Sequence, residues 1–431
     1  MSAQLKLRDA QVAAAGLTLL VVEFVLLAIW QRNGYWDFSD GVYADTAREL
    51  LHGTSLYHGV AAAQPPPIYL VGAGLLAIHD GLASVRAGMA VAQLASAALV
   101  AYAVWRLSGR RWLAVVGGLA LPLLPIDLHE HAQLIPEVVA APLIMLGAIC
   151  AARPRGALVA GALLALAAAC KLAFVLPAIL IVLGAGDRKR ATIGLVGGGL
   201  GLGALALLGY GSPLWTETVR AQFEVGGASL HYVGGLLAQA VWNELPLLLG
   251  AAALLYARGR QPRSITLDAP LERTLLGAAL GGLLLGLTLF KHGSYLSVFL
   301  VAEPPLLTLA AVGAAVLWQR SSAARVAIMV LALLLVAQSV SLLADPTDPS
   351  IARRPGAHSG LSEVTTPASV SRAVAAAQRC SARFAYAGAP YIAFLADRRM
   401  PGAQPDTFML SYAGADGAFA RRAAADEPRC L

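Results

Sequence analysis

Ionisable residues are scarce in this sequence, so those standing beside apolar runs are the first candidates for chemistry. The densest group is Trp36-Asp37-Phe38-Ser39-Asp40-Gly41-Val42-Tyr43-Ala44-Asp45, with Arg48, Glu49 and His52 close behind. Carboxylates accept protons and cations hold anions, so acids and bases gathered at a membrane surface can serve group transfer. Lys171 stands between two short apolar runs, where an ionisable side chain is costly and usually functional. Lys291 and His292 end another run, although a lysine there can simply snorkel to the interface. Glu137 follows Leu134-Ile135-Pro136 at the start of a run. His129 and His131, flanked by Asp127 and Glu130, have the residue types of a metal site. The spacing is weak and a solvated loop accounts for it equally well, so no metal is assigned; a divalent cation is possible but not indicated. The four cysteines have no paired C-x-x-C spacing, which excludes a zinc site of that kind.

The elements that must position these residues are membrane helices. Hydrophobic residues are 58% of the 431-residue chain, charged residues 13%, and the mean hydropathy is +0.67. A soluble chain has about 25% charged residues, so too little polar surface exists here to cover a water-soluble globule. Eleven segments have the length and apolarity of spans: 11–30, 84–105, 112–126, 134–151, 156–170, 172–186, 191–209, 236–257, 272–290, 295–318 and 326–343. With the N-terminus in the cytoplasm, sixteen Lys and Arg fall in inner connections and six in outer ones, the expected bias. The net charge of +7 is therefore a topology signal, and no nucleic-acid partner is implied. The apolar segment 65–78 is too short to span and reads as a re-entrant or juxtamembrane helix. Ser39 or Asp40 can cap a helix reaching about Leu51, with Gly53 as its stop. Val42, Ala47, Leu50 and Leu51 would make that helix interfacial.

Ser39-Asp40-Gly41-Val42-Tyr43-Ala44-Asp45-Thr46-Ala47-Arg48-Glu49-Leu50-Leu51 is followed by Gly53-Thr54-Ser55-Leu56-Tyr57 and by Gln64-Pro65-Pro66-Pro67-Ile68-Tyr69. This order resembles the GT-C superfamily of membrane glycosyltransferases, in particular the branch of protein O-mannosyltransferases and the aminoarabinose transferase of lipid A. Leu-Ile-Pro-Glu137, Cys-Lys171-Leu-Ala-Phe, Lys291-His292-Gly293-Ser294-Tyr295 and the tail segment Gly388–Arg399 are similar in kind. The resemblance departs at two points: Gly41 stands where that branch has the second acid of an Asp-Glu pair, and Gln64 where a Lys often precedes Pro-Pro.

The resemblance implies an all-α polytopic GT-C fold of about eleven transmembrane helices. The donor it implies is a polyprenyl-phosphate sugar, used on the outer side of the cytoplasmic membrane among membrane lipids. The acceptor is then a glycolipid or cell-envelope glycan. A lipid phosphate leaves without needing a proton, so one carboxylate suffices to deprotonate the attacking hydroxyl, with inversion. Asp40 is the expected base, with Asp37 and Asp45 as alternatives. Lys291 and His292 are first choices for the phosphate, Lys171 and Arg220 second. Tyr43, Glu137 and Tyr295 complete the expected substrate-binding set. A lipid-linked-saccharide transporter or flippase is the rival reading, but the sequence has neither the repeat nor the paired intramembrane charges expected of one. A scaffold that kept the fold and lost the chemistry is the other, motivated by Gly41.

The chain divides into a transmembrane part, 1–343, whose first outer loop is 31–83, and an outer C-terminal domain, 344–431. The tail reads as a small α/β domain, with a helix over Ala368–Arg379 and strand-like Ala382–Tyr386 and Tyr391–Leu395. Cys380 and Cys430 both fall in it, in a compartment that permits a disulfide. The connection 210–243 is rich in aromatics and has the position of a lid over the donor.

Overall fold

Apolar runs in lipid satisfy their backbone groups by forming helices. The computed structural model describes residues 3–31, 38–260, 268–291, 293–344, 367–379, 389–406 and 417–425, and every regular element among them is helical. Extended backbone pairs only at two isolated bridges, Leu56 with Val60 and Gly227 with Lys291. The first helices are α1 (Ala3–Gln31), α2 (Phe38–Leu51), α3 (Pro66–Ile78), α4 (Leu82–Ser108), α5 (Arg111–Ala120) and α6 (Pro125–His129). Then come α7 (Pro136–Ala151), α8 (Ala157–Cys170), α9 (Val175–Gly184), α10 (Arg188–Trp215), α11 (Ala221–Glu224) and α12 (Leu230–Arg260). The last are α13 (Ala269–Leu284), α14 (Glu303–Trp318), α15 (Ser322–Ala344), α16 (Pro367–Arg379), α17 (Pro390–Ala396) and α18 (Ala418–Ala425).

Each of the eleven expected spans falls on one of these helices, and 65–78 forms the short helix α3. Five stretches are long and apolar enough to cross a bilayer: Leu82–Ser108, Arg188–Glu224, Leu230–Gly259, Ala269–Phe290 and Ser322–Ser341. Leu200, Leu208 and Leu333 stand exposed on α10 and α15, as lipid-facing side chains do. The chain is a multi-pass membrane protein. Small residues let helices approach closely in such a bundle. A Cβ on Gly194 of α10 would strike the Leu158 carbonyl of α8, and one on Gly313 of α14 the Gly250 carbonyl of α12. The aromatic connection at 210–243 is largely helix. Gly211 (φ 64°, ψ −157°) kinks α10, a π-helical turn covers Thr216–Arg220, and α12 begins at Leu230.

Two local expectations change. The stretch Tyr391–Leu395, expected as strand, lies within α17. Pro390 sits in its first turn, where a missing N–H costs nothing, and Asp397 ends it in the left-handed region (φ 53°, ψ 53°). Residues 382–386 and both tail cysteines lie outside the described residues. The second concerns α2: its residues from Asp40 to Glu49 are all buried, and α3 and α17 pack over it, so the face expected to be apolar and exposed is covered by protein.

Candidate active site

The buried helix α2 carries Asp40 in its first turn, and that carboxylate is 1% exposed. Its Oδ1 accepts from the Leu134 backbone N–H at 2.7 Å and its Oδ2 from Arg86 Nη2 at 2.6 Å. Leu134 presents its N–H because of the local sequence. Pro136 starts α7 and forces Ile135 before it into extended backbone (φ −130°, ψ 152°). Upstream, Ala132 adopts a left-handed φ of 58°, and its N–H is held at 2.7 Å by Gln93 Oε1. Gln93 donates in turn to Asp127 Oδ1 at 2.8 Å. Arg86 also donates to the His131 carbonyl at 3.3 Å. Arg86 and Gln93 are two turns apart on α4, so one face of that helix fixes both Asp40 and the turn that meets it.

The histidines of that turn, His129 and His131, are buried. Burial, and then the Arg86 charge, push His131 down to about 3, so it is neutral and adds no cation. His129 Nδ1 lies 3.0 Å from Glu130 Oε1. Among the described residues no group of three or more His, Cys, Asp or Glu has the arrangement to hold a metal ion.

Tyr295 meets the start of α2, and Lys291, Lys171 and Glu137 form a linked set of charges. Ser39 and Tyr295 share a hydrogen bond between their hydroxyls, which brings the 291–295 turn to the start of α2. Lys291 lies four residues earlier, in extended backbone (φ −91°, ψ 135°) that closes the 3-10 turns after α13. Its Nζ donates to Gln222 Oε1, and Gln222 Nε2 donates to the Ala63 carbonyl at 2.9 Å. Burial, then the nearby Lys171 charge, lower Lys291 to about 8. Lys171 sits at the extended break between α8 and α9 (φ −157°, ψ 122°), and its Nζ donates to Glu137 Oε1 at 2.6 Å. Two ammonium groups near each other, with one carboxylate to offset them, make a place for an anion.

The other expected residues are less central. Tyr43 packs its ring 5.5 Å from that of Tyr69, inside the α2–α3 contact. Arg220 is exposed and pairs with Glu224 at 2.9 Å. His292 and Asp37 lie outside the described residues. Asp45 is buried, and burial raises it to about 8 despite the Arg48 charge. The residue that sequence reasoning missed is Arg86. Its one signal was placement, a cation at the outer end of a span where the charge bias disfavours it.

The tail belongs to this region. A Cβ on Gly41 would collide with Tyr391, whose Cα would lie 2.7 Å away. Position 41, the place of the second acid in the resembling branch, is therefore filled by the backbone of α17. Arg48 stacks its guanidinium 3.7 Å from the centre of the Phe394 ring and donates to the Phe394 carbonyl at 2.8 Å. Gln404 accepts from the Ala61 N–H and donates to the Gly59 carbonyl, both at 2.8 Å.

No protein-family model matches this chain, and no curated protein matches it. Solved structures do. ArnT from Cupriavidus metallidurans bound to undecaprenyl phosphate superposes with a TM-score of 0.61 at 13% identity, over 90% of this chain and 85% of that one. Its apo state gives 0.61 at 14% identity, over 93% and 89%. The archaeal oligosaccharyltransferase AglB from Archaeoglobus fulgidus, in complex with an inhibitory peptide and a dolichol-phosphate, gives 0.51 at 13% identity, over 92% of this chain and 65% of that one. Each superposition spans at least 90% of this chain. Its fold is the one shared by these solved structures.

Proposed function

We propose that the protein is an inverting glycosyltransferase that moves a sugar from a polyprenyl-phosphate donor to a glycolipid or cell-envelope glycan outside the cytoplasmic membrane. The observation that carries this reading is a buried carboxylate, Asp40, fixed at both oxygens by Arg86 and the Leu134 N–H, next to Ser39, which bonds Tyr295 in the turn that follows Lys291. Structures with this fold hold undecaprenyl phosphate or dolichol-phosphate, which favours a lipid phosphate as the anion.

In this proposal the acceptor hydroxyl attacks the anomeric carbon while Asp40 takes its proton. The new C–O bond forms as the bond to the phosphate oxygen breaks, on opposite faces of the carbon. The polyprenyl phosphate departs as an anion and needs no proton. Lys291, Lys171 and the Tyr295 hydroxyl stabilise it, and Glu137 orients Lys171 through its 2.6 Å contact. Arg86 occupies Oδ2 of Asp40, and a donor phosphate drawing on Arg86 would free that oxygen to accept the proton.

The test is Asp40→Asn in the purified protein with a polyprenyl-phosphate sugar as donor. General-base removal costs about 10²- to 10⁴-fold in rate, with donor binding retained. Full transfer by a folded Asp40→Asn protein would sink the assignment of the base. Mass spectrometry of the lipids that copurify then names the sugar. A lipid diphosphate-linked oligosaccharide in their place would point to a flippase or an oligosaccharide transferase.

A further inference from the structure

The helix that holds Asp40 at one end carries a second cluster of charges at the other. Arg86 and Arg106 are twenty residues apart on α4, about 30 Å along a helix, which is the thickness of a bilayer core. At the Arg106 end α4, α7 and α13 meet at a narrow, shallow cleft lined by Tyr102, Arg106, Ile149, Arg153, Asp268 and Leu271. Two guanidinium groups converge there on one phenol. The Tyr102 hydroxyl oxygen accepts from Arg106 Nη1 at 3.3 Å and from Arg153 Nη2 at 3.0 Å. Arg106 is neutralised by Asp268 at 2.6 Å, and Asp268 is also engaged as the N-cap of α13. Arg153 is exposed and has no carboxylate partner among the described residues. The cleft thus keeps one uncompensated positive charge. The Tyr102 O–H, which donates to no group among the described residues, stands beside it.

Its depth is marked by aromatics. The Trp105 ring packs edge-on to Tyr102 at 6.0 Å and is itself 41% exposed. Trp112, at the start of α5, is exposed close by in the chain. Exposed tryptophan at a helix end belongs to the interfacial belt, at the level of lipid headgroups. A basic pocket between helices at that level suits an anionic lipid headgroup. We propose that this cleft binds the phosphodiester of an anionic phospholipid. Arg153 and the Tyr102 hydroxyl donate to its oxygens, and the acyl chains lie against the apolar flank of α7. The site is separate from Asp40 and does not rest on the transfer reaction.

The experiment is native mass spectrometry of the full-length protein in mild detergent, titrated with phosphatidylglycerol, with phosphatidylcholine and with inorganic phosphate. Phosphatidylglycerol should bind about tenfold more tightly than phosphatidylcholine, and Arg153→Gln should remove that preference, as the loss of one charge-assisted contact would. Tyr102→Phe, which keeps the ring and its packing, should reduce the preference by severalfold and serves if Arg153→Gln does not fold. Equal binding of the two lipids by the wild type would overturn the proposal, as would an undiminished preference in both variants. Inorganic phosphate competing as well as the lipid would overturn the lipid assignment and leave a free-phosphate site. Transfer activity lost in Asp40→Asn with lipid preference intact keeps the two proposals distinguishable.

Discussion

Residue by residue, the chemistry of this protein depends on how burial treats a few charges. Lys291 is lowered to about 8 by burial and by Lys171, so it is mostly charged at pH 7 and loses its charge above pH 8. The kcat/KM for a polyprenyl-phosphate donor should therefore fall as pH rises through about 8. Lys291→Arg, which keeps its charge, should flatten that limb of the profile. Asp45 shows the opposite sign, raised to about 8 by burial. Below about pH 4 it is neutral in both folded and unfolded chains. From there to about pH 8 only the unfolded chain ionises, so stability falls as pH rises and then levels off. Asp45→Asn should make the unfolding temperature less dependent on pH between 5 and 8. Asp40 was legible in the sequence because acids are rare beside apolar runs, and Lys171 because a charge between two such runs is conspicuous. Arg86 was not, because it reaches Asp40 across 46 residues of chain and resembles any span-flanking cation. Arg86→Gln should weaken donor affinity, measurable as a raised KM for the polyprenyl-phosphate donor.

At the scale of elements, helices were read well because a membrane leaves the backbone no other regular structure except a closed barrel. The α17 segment failed that reading for a physical reason. Tyr391-Ile392-Ala393-Phe394-Leu395 has the aromatic and branched residues that favour strands, yet Pro390 and Asp397 bracket it as a helix. Nothing local announced that this helix would lie on α2. The contact explains Gly41, which sequence reasoning treated as a missing acid and which is an absent side chain under Tyr391. Gly41→Ala forces that packing apart and should destabilise by about 1–3 kcal/mol, the usual cost of overpacking. Gly41→Glu should cost more and should lower transfer activity, since it displaces the helix that shapes the Asp40 end. Thermal unfolding beside an activity assay checks both. A Gly41→Glu protein as stable as the wild type would mean that α17 does not dock there.

For the whole molecule, the ends of α4 give two opposite poles, with Asp40 at one and the Arg106–Asp268 pair at the other. The proposed orientation puts the Asp40 pole outside. His52 and Arg155 are both exposed, and a cysteine at each, in a chain without its native cysteines, tests it. A membrane-impermeant reagent on intact cells should reach His52→Cys and not Arg155→Cys, and the reverse would move the site to the cytoplasm. The contact between α2 and α17 also has a consequence in time. Arg48 emerges early from the ribosome, and the Phe394 carbonyl it binds lies 346 residues later. At about 5–20 residues per second, the helix bearing Asp40 waits roughly 20–70 s for the helix that covers it. Until then its buried charges must be kept from other partners. A chain stopped short of residue 389 would be inserted in the membrane and still lack the helix that covers α2, so assembly of the site waits on synthesis through α17.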